Sequence, residues 1–128
     1  MGADLYIKKL YNSKAADPDR SKAYFRDSYN MGNVLWTLGL SWWIDVLPLL
    51  DEKLQLKGEN LLRFRDRVVN AGQHLPSSQE LREKHAVVTA TGEESIENWH
   101  RHYVTKRQEL IAFLDRAIEN HSSIICSL

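Results

Sequence analysis

The chain has one cysteine, Cys126, and three prolines in 128 residues. A single cysteine excludes an internal disulfide and any Cys-x-x-Cys metal or redox motif, and it suits a reducing compartment. Net charge is missing too. Seventeen basic residues balance 17 acidic ones, so no global field recruits or imitates a phosphate backbone, and a nucleic-acid role would need a local patch. No repeat, low-complexity tract or linker divides the chain. Its length suits one domain over 1–128, large enough to bury a core without disulfides or metals as props. The opening Met1-Gly2-Ala3-Asp4-Leu5-Tyr6 lacks the basic-then-apolar order of a secretory signal. Tyr6 also stands where a myristoylation signal wants Ser or Thr. The expected compartment is the cytoplasm.

One segment departs from this charged, balanced background. MGNVLWTLGLSWWIDVLPLL, positions 31–50, carries a single charged side chain, Asp45. Its length matches a bilayer span. Against a span stand Asp45, whose insertion would cost roughly 3 kcal/mol, the interruptions at Gly39 and Pro48, and the polar Asn33, Thr37 and Ser41. The segment is read as buried core, kinked or split where Pro48 lacks its N–H. A membrane-associated protein is the alternative it leaves open.

Around it the pattern predicts helices. Asp17-Pro18-Asp19 supplies a cap, a proline at the first helical position and an acid favoured by the helix dipole, so a helix is expected through Tyr24, Phe25 and Tyr29 toward Gly32. Asn33 can cap the next. Leu61, Leu62, Phe64, Val68 and Val69 describe an amphipathic helix ending near Gly72. Ser77-Ser78-Gln79-Glu80 and Thr91-Gly92-Glu93-Glu94 match the capping box that opens a helix. Ile96, Trp99, Tyr103, Leu110, Leu114, Ala117 and Ile118 recur at helical spacing from Gly92 to Asn120, roughly 40 Å at the standard rise. Leu5-Tyr6-Ile7 and Ile124-Ile125-Cys126 are short β-prone runs able to pair as a ribbon joining the termini. The fold class expected is mainly α: a compact helical domain with a long C-terminal helix, whose apolar stripe needs the Trp-rich segment as its counter-surface.

MGADLYI at the start, YFRDSYN at 24–30, LGLSWW at 38–43 and CSL at the end resemble a family of small, uncharacterised bacterial and phage-borne proteins. The resemblance covers both ends and the first third of the chain, and it implies a bacterial or phage source. It brings no activity, cofactor or site residue with it.

The candidate chemistry is sparse. Trp36, Trp42, Trp43 and Trp99 with Tyr24, Phe25 and Tyr29 are more large aromatics than one small core easily holds. Adjacent Trp42 and Trp43 point roughly 100° apart on a helix, so one can be buried while the other reaches an edge, where Trp is a favoured anchor. Tyr29, Trp36 and Trp43 are therefore the candidate interaction patch. Glu97-Asn98-Trp99-His100 has the Glu-x-x-His spacing of di-iron bundles, but there is one copy and no second, so Glu97 and His100 stand only as an alternative metal site and no cofactor is expected. Asp27 and Asp45, in apolar surroundings, suit a raised carboxyl pKa or, more commonly, capping or a salt bridge, and Arg26, Arg63, Arg65, Arg67, Arg101 and Arg107 can pair with those acids or make a small anion-binding patch. Cys126, among isoleucines, reads as a small buried hydrophobe rather than a nucleophile. These features favour a non-enzymatic protein-interaction module acting on a protein partner or on a second copy of itself. A small enzyme or metal-binding bundle built on Glu97 and His100 is the alternative.

Overall fold

The structure, a computed structural model, describes residues 2–10, 23–28, 34–71 and 93–128, with backbone alone at Ser28 and over 93–100. It corrects the mainly helical expectation. The fold is mixed α/β, built on a four-stranded antiparallel sheet. Strand β1 (Gly2–Ile7) pairs with β2 (Tyr24–Ser28) on one side and with β4 (Ile124–Ser127) on the other. The two-residue β3 (Gln55–Leu56) adds to the outer side of β4. The two ends of the chain do lie side by side, Leu5 opposite Cys126 and Ile7 opposite Ile124. They form the middle of a sheet and not an isolated ribbon.

Strand β1 alternates as a half-buried strand should, with Ala3, Leu5 and Ile7 inside and Asp4 and Tyr6 on the other face. On that second face Asp4 meets Arg26 across the β1–β2 ladder at 3.0 Å and accepts from the Tyr24 hydroxyl, while the rings of Tyr6 and Tyr24 stand 5.1 Å apart. The helix expected through Tyr24 and Phe25 is absent, because this stretch is β2. Phe25 and Asp27 point inward and Arg26 outward. The alternation was obscured because one of its inward positions holds a carboxylate. Tyr29, the first capping box, Thr91 and Gly92 of the second and the Asp17-Pro18 start lie outside the described residues, while Glu93 and Glu94 open the long C-terminal helix.

Two long helices cover the inner face. Helix α2 (Gly58–Asn70) buries Leu61, Phe64 and Val68 and leaves Leu62 and Val69 exposed. Helix α3 (Glu93–Glu119) buries Tyr103, Leu110, Phe113, Leu114 and Ala117. They run antiparallel: Arg65 bonds Asp115 at 2.6 Å, and farther along Arg107 donates to the carbonyls of Val68 and Val69. Those are among the last carbonyls of α2, which lack helical partners of their own. The apolar stripe of α3 therefore finds its counter-surface chiefly in α2, with α1 and β2 also packed against it, Phe113 lying 5.9 Å from Phe25. The Trp-rich segment is not its principal partner. This corrects the docking expected from sequence: the inner face of α2, with Leu61, Phe64 and Val68 buried, is the main partner, and α1 of the Trp-rich segment contributes a smaller part.

Positions 34–50 are neither one helix nor two. They form a four-residue helix α1 (Val34–Thr37), a break at Gly39 with φ 75, a π turn (Trp42–Val46) and a 3-10 turn around Pro48 (Leu47–Leu49). No helix among the described residues is long and apolar enough to cross a membrane.

Leu110 and Leu114 are wholly buried. Replacing either by alanine is expected to cost about 2–5 kcal/mol, cavity included, read as a lowered denaturant midpoint with unchanged slope. Midpoints equal to the parent's would place this stripe outside the core.

Candidate functional site

The surface that stands out is built by an irregular segment held in place from beneath. Asp27, at the inner end of β2, is 3 % exposed. One of its carboxylate oxygens accepts from the Val34 N–H at 2.9 Å, and the other accepts from the Trp42 indole N–H at 2.7 Å and, at 3.5 Å, from the Leu35 N–H. It thus serves α1 as a remote cap, satisfying N–H groups that the first turn cannot, and it fixes Trp42 in the core. The Trp42 ring packs 5.7 Å from that of Phe64 on α2. Burial raises the Asp27 carboxyl above its ordinary range. The three donors and the positive charge of Lys106 oppose that rise. Beside it Tyr103, itself buried, is pushed up to about 12 by desolvation and by the nearby carboxylate.

Ser41 and Asp45 shape the π turn reciprocally. The Ser41 hydroxyl accepts from the N–H groups of Trp43 and Ile44, and the Ser41 N–H donates to Asp45 at 2.8 Å, a capping-box logic with the acid four residues on. The other oxygen of Asp45 pairs with Arg67 of α2 at 3.0 Å. Of the acids singled out in the sequence, Asp27 is a buried cap and Asp45 a cap and an ion-pair partner.

With Trp42 and Val46 turned inward, their neighbours turn outward. Trp43 is 55 % exposed, Ile44 77 % and Leu47 38 %; Trp36, on α1, is 42 % exposed. Trp43 and Leu47, four residues apart on a helical ribbon, share a face. The structure therefore places two of the three sequence-selected patch residues, Trp36 and Trp43, at the surface; Tyr29 lies outside the described residues. Ile44 and Leu47 were not singled out. The available signal was Pro48: a segment broken that soon cannot surround itself with other elements. Solitary exposed apolar residues are ordinary, whereas a cluster of large ones within one short segment is a contact-surface feature.

Glu97 and His100 both fall on α3, in the stretch described by backbone alone. Among the described residues no group of three or more His, Cys, Asp or Glu is arranged to hold a metal. Cys126 is buried in β4, and desolvation pushes its thiol up to about 12, so at neutral pH it presents no thiolate. No protein-family model, curated protein or solved structure matches the chain.

Two outcomes follow from these buried groups. Because the folded Asp27 holds its proton more tightly than the unfolded chain does, its contribution to stability is full below the unfolded value of about 4 and is lost as pH rises through the folded value. The difference in melting temperature between the parent and Asp27→Asn should change across that interval. A constant difference would assign the pH dependence elsewhere. Asp27→Ala, which strands buried donors, should cost about 1–3 kcal/mol for each donor left unmatched. Cys126, for its part, should resist a thiol reagent in the native protein and react stoichiometrically in denaturant. Rapid native labelling would show β4 opening.

Proposed function

We propose that the chain is a non-enzymatic protein-interaction module that associates with a second copy of itself through the surface formed by Trp36, Trp43, Ile44 and Leu47. The observation that carries this reading is the exposure of Trp43 and Ile44 on a turn whose backbone is fastened by Ser41, Asp45 and Arg67. An apolar anchor presented on a pre-ordered backbone loses less entropy on binding than one on a free loop. The balanced charge, 17 basic against 17 acidic residues, supports a second copy as the occupant, since like copies carry no net repulsion to oppose contact. A different protein partner is the other outcome of the test. The resemblance of its motifs to those of small bacterial and phage-borne proteins supports a bacterial or phage origin, and the single buried cysteine supports a reducing cytoplasm.

Sedimentation velocity across a concentration series is the deciding measurement. The parent should shift from monomer toward dimer as concentration rises, and Trp43→Ser combined with Ile44→Ser should remain monomeric throughout. Both side chains are exposed, so the denaturation midpoint of the variant should stay within about 0.5 kcal/mol of the parent. A parent that stays monomeric at all concentrations, or a variant that dimerises equally, would reject self-association through this surface.

A further inference from the structure

A second feature lies at the opposite ends of these elements, where the turn after β1, the start of α2 and the end of α3 converge. The β1 turn is fastened there by the Lys8 N–H to the Ser123 carbonyl at 3.0 Å and the Lys9 N–H to the Ser122 hydroxyl at 3.0 Å. Gln55 of β3 accepts from the Ser123 hydroxyl at 3.1 Å. Helix α3 closes with a Schellman motif: the Ser122 N–H reaches the Ala117 carbonyl and the His121 N–H that of Ile118. His121 occupies the left-handed position of this motif at φ 50, where glycine is usual. Between these pieces runs an open groove of about 760 Å³, within the size range of small-molecule sites.

Its lining has two characters. Leu61, Leu62 and Ile118 supply apolar wall, and Leu62 is left half exposed there. Lys8, Lys9, Lys57 and His121 supply most of the polar part, and among the described residues no carboxylate lines the groove itself, although Asp51 and Glu52 line the adjoining hollow that shares Lys8, Gln55 and Lys57. Lys57 is tied to Asp51 at 3.2 Å. Lys8 and Lys9 are exposed and, among the described residues, neither side chain has an acidic partner. Gly58, the first residue of α2, adds the positive end of the helix dipole to the same wall. The acids Asp51 and Glu52 offset this charge on the Lys57 side, while Lys9 and His121 lie away from them, and positive charge gathered there against an apolar surface is matched by a ligand of complementary halves. We propose that this groove binds an amphiphilic anion: a phosphate- or carboxylate-headed molecule whose apolar body lies along Leu61, Leu62 and Ile118 while its head meets Lys8 and Lys9. The site is separate from the self-association surface, so neither proposal depends on the other.

The test titrates isotope-labelled full chain with octyl phosphate, beside inorganic phosphate and octanol as the two halves alone, and follows amide resonances. Octyl phosphate should give saturable shifts centred on Lys8, Lys9, Gly58 and Ser122, with each half alone binding roughly tenfold more weakly or worse. Lys8→Glu with Lys9→Glu, and separately Leu62→Asp, should each weaken octyl phosphate roughly tenfold. All three positions are exposed, and denaturation midpoints will confirm that the variants fold. Sedimentation with phosphatidylglycerol vesicles separates the sources. Co-sedimentation abolished by the same variants identifies a lipid headgroup, whereas groove binding of octyl phosphate without co-sedimentation identifies a free amphiphile. Shifts centred on Trp36 and Trp43, equal affinity in parent and variants, octanol or phosphate binding as well as octyl phosphate, or vesicle binding indifferent to the variants would each overturn the proposal.

Discussion

A carboxylate withdrawn from water must find donors, and the way Asp27 finds them organises half the molecule. It sits on the sheet, takes its hydrogen bonds from the start of α1 and from the indole of Trp42, and through that indole touches Phe64 of α2. Sheet, irregular segment and helix layer are thus joined at one buried charge. Apolar packing would hold these layers together in many registers, but a set of directed bonds of 2.7 and 2.9 Å to one carboxylate is satisfied in one. The cost is the desolvation that raises the Asp27 pKa.

The same anchoring explains why apolar side chains are left outside. A turn as short as Trp42–Val46 has room to direct only a few side chains inward, and Trp42 and Val46 take those places. Trp43, Ile44 and Leu47 are then displayed by geometry. Their exposure follows from the fixed position of Trp42 and not from a loose segment.

Several elements were legible in the sequence because one physical pattern dominated them. In α3 the apolar spacing is long and uninterrupted. In α2 Leu61, Phe64 and Val68 mark the inner face. At the two ends the β-prone runs Leu5-Tyr6-Ile7 and Ile124-Ile125-Cys126 were enough to suggest a pairing of the termini. Strand β2 was misread because period-two alternation is recognised by apolar residues, and here the second inward position is Asp27. The polar residue that disguised the strand is the one that organises the fold, so propensity and tertiary role pointed in opposite directions. The stretch 34–50 was legible as apolar and broken. Its breakage into π and 3-10 turns depends on hydrogen bonds from Ser41 and Asp45 that composition does not display. The basic groove was invisible for another reason: Lys8, Lys57 and His121 are remote in sequence, and only the sheet order brings them together.

The central pairing of the sheet also dictates when the fold can form. Strand β1 is flanked by β4, and the bond from Lys9 to Ser122 closes a loop of 113 positions. Such a contact is entropically unfavourable until both partners are present, and long-range strand pairing of this kind slows folding. The sheet lacks one of its two inner strands until residues 124–127 are in place. Until then Leu5 and Ile7 have no neighbour on that side, so the unpaired edge of β1 is the vulnerable part of any state that precedes docking of β4.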